Sequence, residues 1–240
     1  MNYKSFKIFI DFDGTVTVQD VGEAIFNKFG NHEENYSIID DLLNDRISSK
    51  ECWIALCKSI GTIEKNSLNN FIDTLEVEAG FSDFVDFCSE NKFELFILSD
   101  GFDYYINRIL KREGLNSIKA YSNKLVVTND NKLKPSFPFY NERCTSSANC
   151  KWDHIIKHSG DDDFTVFIGD GNSDKETIQY CDFIFAKDGL LRFCEMERIT
   201  YFPFENFNDV IKRLNELNSK KRLKKRHRAE LKRREAYTIE

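Results

Sequence analysis

Asp11 and Asp13 stand one residue apart, directly after the apolar run Phe6–Ile10, and Gly14, Thr15 and Thr17 follow them. Side chains alternate along an extended backbone, so both carboxylates point to the same side. Two carboxylates this close repel each other unless a cation lies between them or one keeps a proton. Such a pair suits a metal-assisted nucleophile better than a core. The competing reading is an acidic turn after an edge strand, since Asp and Gly mark turns. No polar residue lies between Lys7 and Asp11, which fits a buried central strand. Ligands of open α/β sheets gather at the carboxyl ends of such strands.

Two later apolar runs end in similar chemistry. Residues 93–98 lead into Ser99-Asp100-Gly101, and residues 164–168 lead into Gly169-Asp170-Gly171-Asn172-Ser173-Asp174. Between them, Lys151 opens a helical pattern through Ile155 and Ile156. The order is acid pair, hydroxyl, lysine, acid pair, each where a strand ends or a helix begins. This set resembles the haloacid-dehalogenase-like hydrolase superfamily, whose four motifs match as DFDGT, LS, K and GDGxxD between Phe6 and Asp174.

A carboxylate can attack a phosphate ester only where a cation and positive donors neutralise the phosphoryl oxygens. By resemblance, Asp11 is the nucleophile that becomes an aspartyl-phosphate. Asp13 is the general acid and base, and its backbone carbonyl is a metal ligand. An acid at that second position favours a phosphatase or phosphotransferase. Ser99 and Lys151 are expected to hold the phosphoryl group, with Asp100, Gly14 and Thr15 beside it. Ser99 could instead cap a helix over 102–110, and Lys134 is a second candidate lysine. Asp170 completes the metal set with Asp11 and Asp13, while Asp174 and Ser173 support it. An all-oxygen site suits Mg²⁺. Cys150, His154 and His158 share a helix face near Cys144 and could meet zinc, but no paired Cys-x-x-Cys supports that.

The bulk properties narrow the class. The chain has 240 residues, 41% of them hydrophobic, and no apolar run long enough to span a membrane. The first strand starts too near Met1 to leave room for a signal peptide, and seven cysteines form an irregular odd set. Reduced thiols and a cytoplasmic location are therefore expected. Net charge is −6, yet residues 218–240 carry ten Lys/Arg against three Glu. That tail could attract RNA, acidic lipid or an acidic partner. Its basic run, Lys220 to Arg226, holds no aromatic to stack on a base, so the tail reads as a solvated, partly helical extension and nucleic acid is not the expected partner.

The expected architecture is α/β: a doubly wound, Rossmann-like parallel sheet with an inserted helical cap. Four helical faces fall between the first two strand motifs: Ile25/Phe26/Phe29, Ile38/Ile39/Leu42/Leu43, Trp53 to Ile60, and Leu68/Phe71/Ile72/Leu75. Ser48 and Glu51 spell a capping box before the third. The domain reading is a core over 1–17 and 80–217, a cap over 18–79 and the tail over 218–240. Ser82 is the expected N-cap on return to the core. Strands are expected at 118–121, at 125–127 and 133–137 around an Asn129-Asp130-Asn131 turn, at 183–186 and at 199–201.

Within the superfamily, the chain resembles subclass IB and the branch of methionine-salvage and phosphoserine phosphatases. DFDGTVTVQD, Leu98 to Tyr105, the hairpin and Phe185-Ala186-Lys187-Asp188 carry this likeness. It implies a small phosphomonoester substrate, such as 2-hydroxy-3-keto-5-methylthiopentenyl-1-phosphate. Phosphoserine is the alternative, but residues 52–60 hold no arginine for a substrate carboxylate. Asp100 should disfavour strongly anionic substrates unless it points away or pairs with Lys or Arg. Phosphoryl transfer to an alcohol remains open, as does the oligomeric state. A binding module using only the tail fits poorly with a full set of acids.

Overall fold

Parallel strands buried on both faces read as continuous apolar runs, and that is how three of the motif strands are built. A computed structural model of the chain describes residues 4–144 and 147–238. It divides into two compact units, and the chain passes between them four times.

One unit comprises the chain up to Asp11, Glu78–Leu98 and the chain from Lys151 onward. At its centre β1 (Phe6–Ile10) pairs in parallel with β2 (Glu94–Phe102) on one side and β5 (Phe164–Gly169) on the other. β6 (Phe183–Ala186) and β7 (Phe202–Pro203) extend the sheet beyond β5. Ile8, Phe9, Ile10, Ile97, Val166 and Phe167 are wholly buried in it. Among the helices, α5 (Phe81–Glu90) and α9 (Phe207–Ser219) join through Phe81, Phe84 and Phe207, whose rings lie 5.1 and 5.2 Å apart. α7 (Lys151–His158) and α8 (Asp188–Met196) complete the unit with α10 (His227–Thr238).

The other unit comprises Phe12–Val77 and Ser99–Cys150. Its four expected helices are α1 (Val21–Phe29), α2 (His32–Leu43), α3 (Ser49–Ser59) and α4 (Lys65–Ile72). The Ser48–Glu51 capping box is present in both directions. Thr17 and Val77 bridge, tying the segment that enters these helices to the one that leaves. α6 (Asp103–Arg112) is followed by β3 (Lys119–Val127), which pairs antiparallel with β4 (Leu133–Ser136). The hairpin turns through Asn131, at φ 60°.

Several local expectations are corrected. Residues 119–121 and 125–127 belong to one continuous strand, β3, and Ile118 lies before it. The N-cap of α5 is Gly80, at φ 82°, and Ser82 already lies inside the helix. Strand β7 replaces the expected 199–201 segment, because Ile199 N–H closes the end of α8 on Cys194 C=O. Cys144 and Cys150 form a disulfide, while Cys52, Cys57, Cys88, Cys181 and Cys194 are free and buried. Two of the seven thiols are therefore not reduced. Among the described residues no helix is long and apolar enough to cross a membrane.

The basic tail departs most from its expected solvated form. Ile239 and Glu240 lie outside the described residues, but α10 packs within the first unit. Ala229 and Arg233 are buried there. Arg233 donates to Thr165 Oγ1 (2.9 Å), Tyr180 C=O (2.6 Å) and both Asp182 oxygens (3.2 and 3.3 Å). The Tyr237 hydroxyl donates to Ile156 C=O at 2.9 Å. Removing one member of a buried ion pair strands the other charge. Arg233→Met is expected to cost about 3–5 kcal/mol in urea unfolding, against under about 0.5 for exposed Lys232→Met.

Candidate active site

Sheet register assembles the first cluster. Ile10 lies opposite Ile168, and Asp11 N–H donates to Ile168 C=O at 2.9 Å. The acids that follow β1 and β5 therefore emerge side by side at the carboxyl end of the sheet. Helix α7 begins there with Lys151, whose side chain is wholly buried. Its three ammonium hydrogens have three acceptors: Asp11 Oδ1 at 2.7 Å, Asp174 Oδ1 at 2.7 Å and Ser173 Oγ at 3.0 Å. Asp174 also accepts Gly171 N–H at 3.2 Å through its other oxygen. A Cβ at position 169 would fall 2.4 Å from Asp174 Oδ2, so this close approach requires Gly169.

The electrostatics follow from burial. Burial and then the charge of Asp174 push the Asp11 carboxyl well above its usual range, against the pull of Lys151. Burial alone would lower Lys151, but the charges of Asp11 and Asp174 outweigh it and hold the ammonium above its ordinary value. Asp11, Asp170 and Asp174 each place a carboxylate oxygen within 4.8 Å of the others. This hard, all-oxygen donor set fits Mg²⁺. Zinc is not supported at the alternative cluster, because Cys144 and Cys150 are bonded to each other.

The second cluster lies in the other unit, around Asp13. Gly14 turns the chain at φ 75°, and Val21 N–H donates to Asp13 Oδ1 at 3.0 Å. Asp13 Oδ2 accepts the Tyr105 hydroxyl (2.9 Å) and the Ser99 hydroxyl (3.1 Å). A Cβ on residue 101 would meet Tyr105 Oη at 1.6 Å, so only glycine leaves room for this contact. Burial, then the charge of Asp20, raises the Asp13 carboxyl to about 7. Ser99 accepts Gly101 N–H within β2 and is not a helix cap, since Phe102 holds the N-cap position of α6.

The remaining sequence candidates are placed less directly. Gly14 N–H faces Thr17 Oγ1 at 3.3 Å, and Thr15 is buried with its N–H on Phe12 C=O, also at 3.3 Å. Asp100 is paired: its oxygens accept Ser49, Trp53, Ala148 and Asn149. These four donors are neutral, so they orient the Asp100 carboxylate without cancelling its charge. Tyr105 was not among the sequence candidates, because at helical spacing with Ile106 and Ile109 it reads as a core residue.

Residues 6–201 match the family model described as "Putative Phosphatase". The chain is 32% identical over 216 residues to the 2-hydroxy-3-keto-5-methylthiopentenyl-1-phosphate phosphatase of Bacillus mycoides (strain KBAB4), covering 89% of this chain and 97% of that one. The chain belongs to this family of haloacid-dehalogenase-like phosphatases. The enzyme of the same name from Bacillus thuringiensis (strain Al Hakam) is also 32% identical, over 217 residues, with the same shares covered. In fold, the phosphatase resembles a phospho-aspartyl intermediate analogue of phosphoserine phosphatase, with a TM-score of 0.67 and 17% identity over 88% of this chain and 99% of that one. A substrate-bound phosphoserine phosphatase gives the same score and identity over 88% and 98%.

The raised Asp13 carboxyl has a consequence for the stability of this phosphatase. The native state holds a proton between the unfolded value of 3.8 and the folded value of about 7, so stability falls as pH rises through that window. Asn mimics the protonated acid. In EDTA, Asp13→Asn should melt several degrees above the parent at pH 8, and the gap should close towards pH 4.

Proposed function

We propose that this phosphatase hydrolyses a small phosphomonoester through an aspartyl-phosphate on Asp11, with Mg²⁺ as cofactor. The observation that carries this reading is the buried Asp11 carboxylate, fixed at 2.7 Å by Lys151 and grouped with Asp170 and Asp174. Asp11, Asp170 and, through its backbone carbonyl, Asp13 would hold the cation, with Asp174 and Ser173 in support. When bound, Mg²⁺ would neutralise phosphoryl oxygens and let an anionic nucleophile approach.

Each residue then has a task set by its surroundings. Lys151 fixes one Asp11 oxygen, and we assign the other to attack on phosphorus. A carboxylate in an oriented ion pair loses little freedom on reaching the transition state. Asp13, poised near 7, carries enough of its proton at neutral pH to give it to the departing alkoxide. As a carboxylate it then takes a proton from the water that attacks the acyl-phosphate. With substrate bound, Ser99 would turn its hydrogen from Asp13, and Lys151 one of its three from Ser173, to equatorial oxygens, and the Gly14 and Thr15 turn would border them. The helices α1–α4 would serve as the cap that excludes water.

Two features support a neutral-tailed ester. The relatives from Bacillus are named for 2-hydroxy-3-keto-5-methylthiopentenyl-1-phosphate. Residues 52–60 of α3 and its end offer Cys52, Leu56 and Cys57 to the interior and hold no arginine for a carboxylate. With Mg²⁺, we expect phosphate release from that ester and from simple alkyl phosphates, faster than from phosphoserine. EDTA should abolish turnover and Mg²⁺ restore it. Asp11→Asn should lower kcat by at least about a thousandfold. A fully active Asp11→Asn protein would overturn the mechanism.

A further inference from the structure

One carboxylate gathers two separate stretches of its unit. Asp100 Oδ1 accepts Ala148 N–H at 2.6 Å and Asn149 N–H at 2.9 Å. Its Oδ2 accepts the Ser49 hydroxyl at 2.6 Å and the Trp53 indole N–H at 3.1 Å. Ser49 and Trp53 are four residues apart on α3 and so share a face. The Trp53 ring in turn packs on Phe26 of α1 (5.8 Å) and edge-on to Phe102 (5.0 Å). It lies so close to α1 that a Cβ on Gly22 would sit 2.8 Å from it. Asn149 donates its side-chain amide to Ser99 C=O (2.7 Å) and Tyr121 C=O (2.8 Å).

The neighbouring residue gives this arrangement its meaning. Ser99 reaches Asp13, and Asp100, next along the strand, reaches the first turns of α3. The start of α3 is thus held about one residue's reach from the general acid. Hydrogen bonds to an ionised acceptor are roughly twice as strong as neutral ones. An amide at position 100 would turn its NH₂ towards donors on one side or the other, so the full set needs a carboxylate.

We infer that Asp100 is a positioning and specificity residue: it locks α3 to the end of the Ser99 strand and thereby fixes where the organic part of the ester is received. This rests on the phosphatase reading above. Within the phosphate seat, Lys151 and Asp11 are held by bonds that do not involve Asp100. Loss of the lock should therefore separate recognition of the tail from recognition of phosphate.

The test compares Asp100→Asn, Trp53→Phe and the double variant with the parent, using hexyl phosphate as substrate and inorganic phosphate as competitive inhibitor. Asp100→Asn should raise KM about tenfold, with kcat and the inhibition constant of phosphate within about twofold. Trp53→Phe should raise KM in the parent and add nothing in the Asp100→Asn background. In NMR spectra of the Asp100→Asn protein, the Trp53 indole proton should move upfield while that of Trp152 stays. An unchanged KM, multiplying losses in the double variant or an unmoved Trp53 resonance would each overturn the lock. Should Asp100→Asn fail to fold, Ser49→Ala and Trp53→Phe carry the same KM test, each removing one donor. A parent protein inactive on every ester would instead overturn the phosphatase reading and the specificity role with it, while the Trp53 resonance would still decide whether the lock exists.

Discussion

The ammonium of Lys151 sits without solvent between two carboxylates, and the carboxyl end of the sheet depends on that arrangement. Taking three charges out of water is expensive, and their attraction offsets the cost only when geometry is good and the remaining hydrogens are satisfied. Here every ammonium hydrogen has an acceptor, and Asp174 is held from its far side by a backbone amide. Register between β1 and β5, the buried start of α7 and the missing side chain at Gly169 all serve this one constellation. The cluster concentrates negative charge, which suits an Mg²⁺ site and disfavours an apolar one.

The second constellation solves a different problem. Asp13 is half-buried near another acid, and three donors restrain its orientation. One residue separates it from Asp11, yet the two carboxyls have opposite requirements. One is matched by a cation; the other is matched by hydroxyls and an amide.

Much of this was legible in the sequence, and the reason is physical. Apolar runs such as 164–168 can only be buried strands, and the acids at their ends then fall at the sheet's carboxyl edge. The Ser48–Glu51 capping box and the 183–186 strand appear at the residues read for them, because those signals are local. What was missed depends on contacts far along the chain. Nothing near Arg233 indicates that it meets Asp182, and a basic run reads as solvated by default. Asp100 beside a phosphate motif reads as a phosphate neighbour until Ser49, Trp53 and Ala148 are brought to it. Tyr105 was hidden in an apolar helix face, and Ile199 failed as a strand because it was needed to finish α8.

The pairing of Arg233 with Asp182 bears on the order in which the molecule can be made. A ribosome delivers β1, β5 and the Asp182 carboxylate well before it delivers α10. Until then the growing chain must either keep that acid wet or tolerate it uncompensated, which delays final consolidation of the sheet. Protein extensions placed after α10 would act on the last-arriving part of the core.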